Sequence, residues 1–248
     1  MALPDSRTIA DQMAVCLARL IHDGEVVFQG GVAAADGGDC AGLRALHARH
    51  AVTLSVAGGV SPQPPVLPRS STDPALAVGA AAVFANEDFY DLCARGKIDL
   101  AFLGAAQIDA QGRTNGSVIG PHASPKVRLP GAGGAAMIPA TARRVVLWRT
   151  QHTPRVFVER LDFVSAVGNL DRVVTPLAVL RRVEGHLMIE SVHPWTTEDE
   201  VRAQRVSPCL LARRAQPRRR ALTSWRRWSA RMRRGCGIWR LPEATGLD

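Results

Sequence analysis

Long apolar runs are missing from this sequence of 248 residues. A helix that crosses a bilayer needs about 18–20 consecutive apolar residues, so no membrane span is expected. A leader-like opening is missing too: MALPDSRTIADQ carries acids where a secretion signal has basic residues followed by an apolar core, and a cytoplasmic location is expected. The five cysteines (Cys16, Cys40, Cys93, Cys209, Cys236) form no CxxC pair and no Cys/His ligand spacing. That argues against a disulfide framework and against a zinc site, and predicts reduced, mostly buried thiols and no bound metal.

A surplus of one charge sign is absent from most of the chain. The formal net charge is +9, yet residues 205–248 hold 12 of the 31 basic and 2 of the 22 acidic residues, while residues 1–204 hold the other 19 and 20. The basic character belongs to the tail, and the body is not basic. The tail starts abruptly inside a helical pattern and carries three of the five tryptophans and two of the five cysteines. It reads either as an arginine-rich segment with tryptophans for stacking on nucleic acid or as the out-of-frame end of a GC-rich gene. The change of composition within a helix favours the second, and nucleic acid is not an expected partner. Two units follow: a body, 1–204, that carries the fold, and an atypical Arg/Trp-rich tail, 205–248.

With 46% hydrophobic and 21% charged residues, the composition is ordinary for a globular chain and allows one large α/β core. Ile9, Met13, Cys16, Leu17 and Leu20 recur at helical spacing behind Ser6 as a cap, ending at His22-Asp23-Gly24. Short β-rich runs follow at 25–29, 52–56, 98–104, 144–149, 155–159 and 186–192, with helical candidates at 39–50 and 86–96 between them. Alternation of this kind predicts an α/β fold, an open mixed or parallel sheet with flanking helices. SPQPPVLPRSSTDP (61–74) is too rich in proline for regular structure and reads as a long surface loop. Thr197 with Glu200 three residues on is a capping box that opens a last helix.

The barest stretch is LPGAGGAAMI (129–138), preceded by SPKVR. Without Cβ atoms in the way, backbone N–H groups approach a negative charge closely. The stretch matches neither G-x-x-x-x-G-K-[ST] nor G-x-G-x-x-G in a strand-to-helix setting, so both nucleotide fingerprints fail. What remains for exposed N–H groups is an oxyanion hole or thioester cradle, where charge develops on a carbonyl oxygen, or a tight structural junction.

In order and spacing, GAAQID (104–109), Gly112 with Asn115, PKVRLPGAGG (125–134), FVERLDFVSAVG (157–168) and SVHPWTTEDEV (191–201) resemble the β subunit of family I coenzyme A transferases, the glutaconate CoA-transferase type, over roughly residues 5–204. The resemblance implies the CoA-transferase (NagB/RpiA-like) fold, an α subunit as partner in an α2β2 assembly, acyl-CoA substrates with coenzyme A as substrate, and no tightly bound cofactor. It implies that Gly131, Ala132, Gly133 and Gly134 lie beside the CoA thioester, with Gly58 and Gly59 at the same pocket. Gly104 and Gln107, at a strand's carboxyl end, are placed to border a pocket. Lys126 and Arg128 either face CoA phosphates or form a solvated basic pair. Asp109 to Gly112 reads as a turn between two strands, so Asp109 and Asn115 are expected to be structural.

Transferases of this type attack the acyl-CoA with a glutamate that follows a strand and precedes glycine. Here the corresponding stretch is LSVAGGV (54–60) and the position is Ala57, so no catalytic residue is assigned, and the next acid downstream is Asp73. Three readings follow. The α subunit supplies the glutamate, as in ring-cleaving CoA hydrolases, and the complex is a hydrolase or lyase. The chain is an inactive, non-catalytic partner. Or the correspondence shifts by a few residues within 30–75. His122 and His193 have no partnered nucleophile motif and read as structural or surface residues, and Glu87 and Asp88 as first-turn helix acids.

Overall fold

The computed structural model describes residues 3–29, 47–64, 70 and 72–204. The tail, most of the 39–50 helical candidate, Cys40 and the centre of the proline-rich loop lie outside the described residues. The chain opens with helix α1 (Ser6–Ala18) and strands β1 (Val26–Gln29) and β2 (Val52–Ser55). Two short strands, β3 (Gly59–Val60) and β4 (Ala82–Val83), precede helix α2 (Asn86–Ala94) and strand β5 (Leu100–Gly104). Two small hairpins follow, β6 (Gln107–Ile108) with β7 (Thr114–Asn115), and β8 (Val118–Ile119) with β9 (Val127–Arg128). A one-turn helix α3 (Ile138–Thr141) leads to β10 (Arg144–Trp148), β11 (Leu170–Val174), β12 (Ala178–Val183), β13 (His186–Val192) and helix α4 (Glu198–Ala203).

The main sheet runs β13-β12-β11-β10-β5-β1-β2-β3-β4. Its centre, β11-β10-β5-β1-β2, is parallel, and both flanks are antiparallel. Central strands are covered on both faces and therefore read as continuous apolar runs: Leu100, Ala101, Phe102 and Leu103 of β5 are all buried. Side chains alternate across the sheet. Val27, Leu100, Phe102 and Val146 meet Met13, Leu17 and Ala18 of α1 on one face, while Phe28, Ala101, Leu103, Val145 and Leu147 join Phe89 and Cys93 of α2 and Ile138 of α3 on the other.

Asp5, rather than Ser6, caps α1: its carboxylate accepts the Thr8 N–H at 2.9 Å and the Thr8 hydroxyl at 2.7 Å, two bonds that a serine hydroxyl makes less readily. The capping box at α4 forms, with the Thr197 N–H donating to Glu200 at 2.8 Å and the Glu200 N–H donating to Thr197 Oγ1 at 3.3 Å. These bonds hold the Glu200 carboxyl below its usual range. The 155–159 run is not a strand; it makes a single bridge, Phe157 to Ile108, against the two-residue strand β6.

At the amino ends of the parallel strands charges meet in pairs. Arg144 Nη2 donates to Glu25 at 2.7 Å and to the Leu20 carbonyl at 3.0 Å, and Asp99 accepts the Val26 N–H at 2.9 Å. Arg172 binds Glu190 through two bonds of 2.7 and 2.9 Å and also contacts Asp171. The Arg144 and Asp99 contacts join the segment after α1 to β1, β5 and β10 at the end opposite the carboxyl termini of the central strands, and the Arg172–Glu190 pair ties the middle of β11 to β13.

Candidate functional site

From β1 the chain passes to β2 on one side, then crosses back to β5 on the other, so the strand order reverses between β1 and β5. In open α/β sheets ligands collect beyond the carboxyl ends of strands at such a reversal. A cavity of about 250 Å³ lies there. Its floor is Phe28 of β1, Ser55 and Val56 at the end of β2, and Leu103 and Gly104 at the end of β5. Its walls are Phe84 with Asn86, Phe89 and Tyr90 of α2, and Ala132, Gly134, Ala135 and Ile138 from the glycine loop. Phe89 stacks on Phe28 with ring centroids 4.2 Å apart and meets the Tyr90 ring edge-on at 5.5 Å, which makes the aromatic wall a packed unit.

The glycine loop enters with Gly131 at φ +94° and runs through a 3-10 turn, Gly133–Ala136, into α3. Its bareness has two local causes. At Gly134 a Cβ would stand 2.7 Å from the Tyr90 hydroxyl and 3.2 Å from Ile138 Cδ1, so a larger residue pushes the loop off the α2 wall. At Gly131 and Gly133 the positive φ values, +94° and +49°, are what exclude side chains, since the space beyond them is open. No hydrogen bond among the described residues uses the N–H groups of Ala132, Gly133 or Gly134. Three consecutive backbone donors thus remain available where the loop lines the cavity.

Behind the loop lies a connected set of hydrogen bonds. Asn115 is fully buried and donates to Gln107 Oε1 and to the Val118 carbonyl, both at 2.7 Å, while its own oxygen accepts the Ser117 N–H at 2.9 Å. Gln107 in turn donates to Asp162 at 2.9 Å, and Ser165 accepts the Gly116 N–H at 2.9 Å. The Gly131 N–H donates to Gly116 at 2.9 Å, so this network anchors the base of the glycine loop. Gly168 lies so close to the backbone of Pro139 that any Cβ would collide with it, which explains why that motif ends in glycine.

The structure brings Ala132, Gly134 and Gly104 to the cavity and sets Gly131 and Gly133 in the same loop. Gln107 is absent from the lining: its amide is spent on Asp162 and Asn115. Gly58 ends the turn that leaves β2 and Gly59 opens β3; neither is among the cavity's lining residues. A Cβ on Gly58 would meet the Phe84 carbonyl oxygen at 2.5 Å, and one on Gly59 the Leu76 carbonyl oxygen at 2.5 Å. Ala57 is the third residue of that turn, closed by the Gly58 N–H donating to the Ser55 carbonyl at 3.1 Å. Asp109 makes the expected turn, accepting the N–H groups of Gln111 and Arg113 at 3.0 and 2.9 Å. Lys126 and Arg128 are exposed on and beside β9, away from the cavity. His122 stacks on Phe163 at 5.1 Å. His193 is buried, its Nε2 2.9 Å from the Thr175 carbonyl, and burial lowers its pKa to about 4. The thiols of Cys16 and Cys93 are pushed up by burial and are inert at neutral pH.

Ser55, Asn86 and Tyr90 are lining residues that the sequence did not single out. Ser55 Oγ is engaged, accepting the Gly59 N–H at 3.0 Å and donating to the Leu76 carbonyl at 3.1 Å. Tyr90 carries no hydrogen bond among the described residues. Only its position one turn into α2, beside Phe89, hints at a wall residue, and that signal does not separate a core ring from a lining one.

Comparison with known proteins places this geometry. The model of the family described as Coenzyme A transferase matches residues 10–204. The chain is 32% identical over 210 residues to the β subunit of 3-oxoadipate CoA-transferase from Pseudomonas knackmussii, covering 77% of this chain and 80% of that protein. It is 28% identical over 169 residues to the β subunit of glutaconate CoA-transferase from Acidaminococcus fermentans, covering 66% and 62% respectively. Among solved structures the decarboxylase AibA/AibB superposes with a TM-score of 0.73 at 28% identity, covering 89% of this chain and 94% of that one. No helix among the described residues is long and apolar enough to cross a membrane. The chain belongs to the coenzyme A transferase family, as a chain of the β-subunit type.

Proposed function

We propose that this chain is the β subunit of a heteromeric enzyme that works with an α subunit on acyl-CoA thioesters, with CoA transfer to a carboxylic acid as its reaction. The observation that carries this reading is the row of three unpaired N–H groups, Ala132 to Gly134, on a loop that lines a cavity at the strand reversal. Attack on a thioester places negative charge on the carbonyl oxygen, and preorganised backbone donors in a water-poor site stabilise that charge without reorganising. Coenzyme A is a substrate in this scheme.

Transfer needs a carboxylate whose oxygen bonds to the thioester carbon while the C–S bond breaks and CoA leaves as thiolate, giving an anhydride. The thiolate then attacks the enzyme's acyl carbon, releasing the donor acid as its carboxylate and leaving an enzyme–CoA thioester; the acceptor carboxylate attacks that thioester, thiolate leaves to give a second anhydride, and its return to the acceptor's carbonyl carbon forms the new acyl-CoA and frees the enzyme carboxylate. Among the described residues no Asp or Glu lines the cavity, and the turn after β2 offers Ala57. In this reading the carboxylate comes from the α subunit. The same absence favours a second outcome, hydrolysis, in which water rather than an acceptor acid completes the cycle.

Co-expression with an α subunit from the same genome, followed by an assay of acyl-CoA consumption with and without an acceptor carboxylate, separates the cases. Consumption only with acceptor is the expected result and establishes transfer. Consumption without acceptor establishes hydrolysis. A complex that binds neither CoA nor acyl-CoA overturns the reading.

A further inference from the structure

The cavity holds no ionisable carboxylate, imidazole, ammonium or guanidinium among its described lining residues; its polar side chains are Ser55, Asn86 and Tyr90. Ser55 is already bonded on both sides, and Asn86 sits exposed in the first turn of α2, at the rim. That leaves the Tyr90 hydroxyl, beside Gly134, as the interior donor with no partner among the described residues. Apart from the backbone N–H groups of the glycine loop, the remaining described lining is apolar, with Phe28, Phe84, Phe89, Leu103 and Ile138 as its large side chains. At about 250 Å³ the space falls below the roughly 300–1,000 Å³ of pockets that hold drug-sized ligands. It accommodates the acyl end of a CoA ester and not the nucleotide.

A second carboxylate on that acyl group, as in the dicarboxylic acids named for two of the relatives, would meet no counter-charge among the described lining residues, and with the loop N–H groups turned to the thioester oxygen the Tyr90 hydroxyl is the interior side-chain donor left to bond it. Burying an unpaired carboxylate is strongly unfavourable, whereas an alkyl or aryl group gains from leaving water. Building on the acyl-CoA reading above, we propose that this cavity takes the acyl group of an uncharged acyl-CoA, a short aliphatic or aromatic chain without a second carboxylate, with the Tyr90 hydroxyl donating to the one polar oxygen near the thioester.

The test uses the complex of this chain with its α subunit and CoA esters matched in carbon count: butyryl-CoA against succinyl-CoA, and isovaleryl-CoA against 3-methylsuccinyl-CoA. Dissociation constants are read by equilibrium titration, and kcat/KM wherever turnover occurs. The uncharged member of each pair is expected to be favoured at least 30-fold. Asn86→Arg, which sets a cation at the exposed rim, is expected to narrow that preference at least 10-fold with an unchanged melting temperature. Tyr90→Phe is expected to weaken both members about equally, by 5- to 20-fold. Equal binding, or preference for the dicarboxyl ester, overturns the proposal while leaving the acyl-CoA reading standing. Failure to bind CoA and all four esters overturns both.

Discussion

The two ends of the parallel sheet are built from opposite materials. At the amino ends Glu25, Asp99, Arg144 and Asp171 lie within reach of a charged or backbone partner, and these contacts tie the starts of four strands together. At the carboxyl ends the cavity is lined by aromatics, glycines and three uncharged polar side chains, with backbone donors left open. Satisfied polar groups hold a fold, while unsatisfied ones facing a cavity invite a ligand. The contrast predicts that substitutions at one end are read mainly in stability and those at the other mainly in catalysis.

The sharpest way to break that division is at Gly134, where the largest effect is expected. Gly134→Val puts side-chain atoms where the Tyr90 hydroxyl and Ile138 Cδ1 now lie, so the loop and the Tyr90 ring have to move apart and the row of N–H groups shifts relative to the aromatic wall. Loss of oxyanion-type donors costs about two to three orders of magnitude in kcat, and displacement of the whole row is expected to reach about a thousandfold. The loop borders an open space and is not core, so circular dichroism should be unchanged and the melting temperature should fall by only a few degrees. A variant with near-normal kcat would remove the loop from the reaction.

Particular residues show how far the sequence discloses this arrangement. The central strands at 26–29, 52–55, 100–104 and 144–148 are legible because buried parallel strands are continuous apolar runs bounded by turn residues. Strands β11 and β12 are not, because Arg172 and the Arg181-Arg182 pair interrupt their alternation and their place is set by pairing with β10 and β13, a tertiary effect. The glycine loop stands out through composition alone. Gln107 misleads because its position beyond β5 suggests a pocket border, and nothing local in sequence shows that Asp162, 55 residues on, claims its amide. Tyr90 and Ser55 are silent because a wall residue and a core residue share the same periodicity.

His193 sharpens the comparison by being a polar group at a carboxyl-side loop that is nonetheless buried, with its Nε2 paired to the Thr175 carbonyl. Its pKa is about 4 in the folded protein against 6.5 when exposed. Between these values the unfolded chain takes up a proton that the folded chain refuses. Stability is therefore complete above about pH 6.5 and falls as the pH drops toward 4, by about 3 kcal/mol in total from this group. Urea denaturation at pH 7.5, 6, 5 and 4 should show that slope, and His193→Gln should flatten it while leaving kcat at pH 7.5 within twofold. A fall in kcat without a change of slope would move His193 from the fold to the site.

The smallest effect expected lies at the amino ends. Arg144 is about a quarter exposed and Glu25 less so, at 24% and 15% of their side chains, so their pair lies between a surface ion pair worth under about 1 kcal/mol and a buried one whose breaking costs about 3–5. Arg144→Met keeps the aliphatic stem against the sheet but removes the donor to the Leu20 carbonyl and the cation beside Glu25, which keeps the His22 N–H at 2.8 Å. The loss should be about 2 kcal/mol by denaturant titration, and it should shrink in high salt to the extent that the pair is screened. Because Arg144 and the cavity lie at opposite ends of their strands, activity per folded molecule is expected to stay within twofold. A specific-activity loss larger than the stability loss explains would show that the amino-end charges reach the site through the strands, and the division of labour between the two ends would fail.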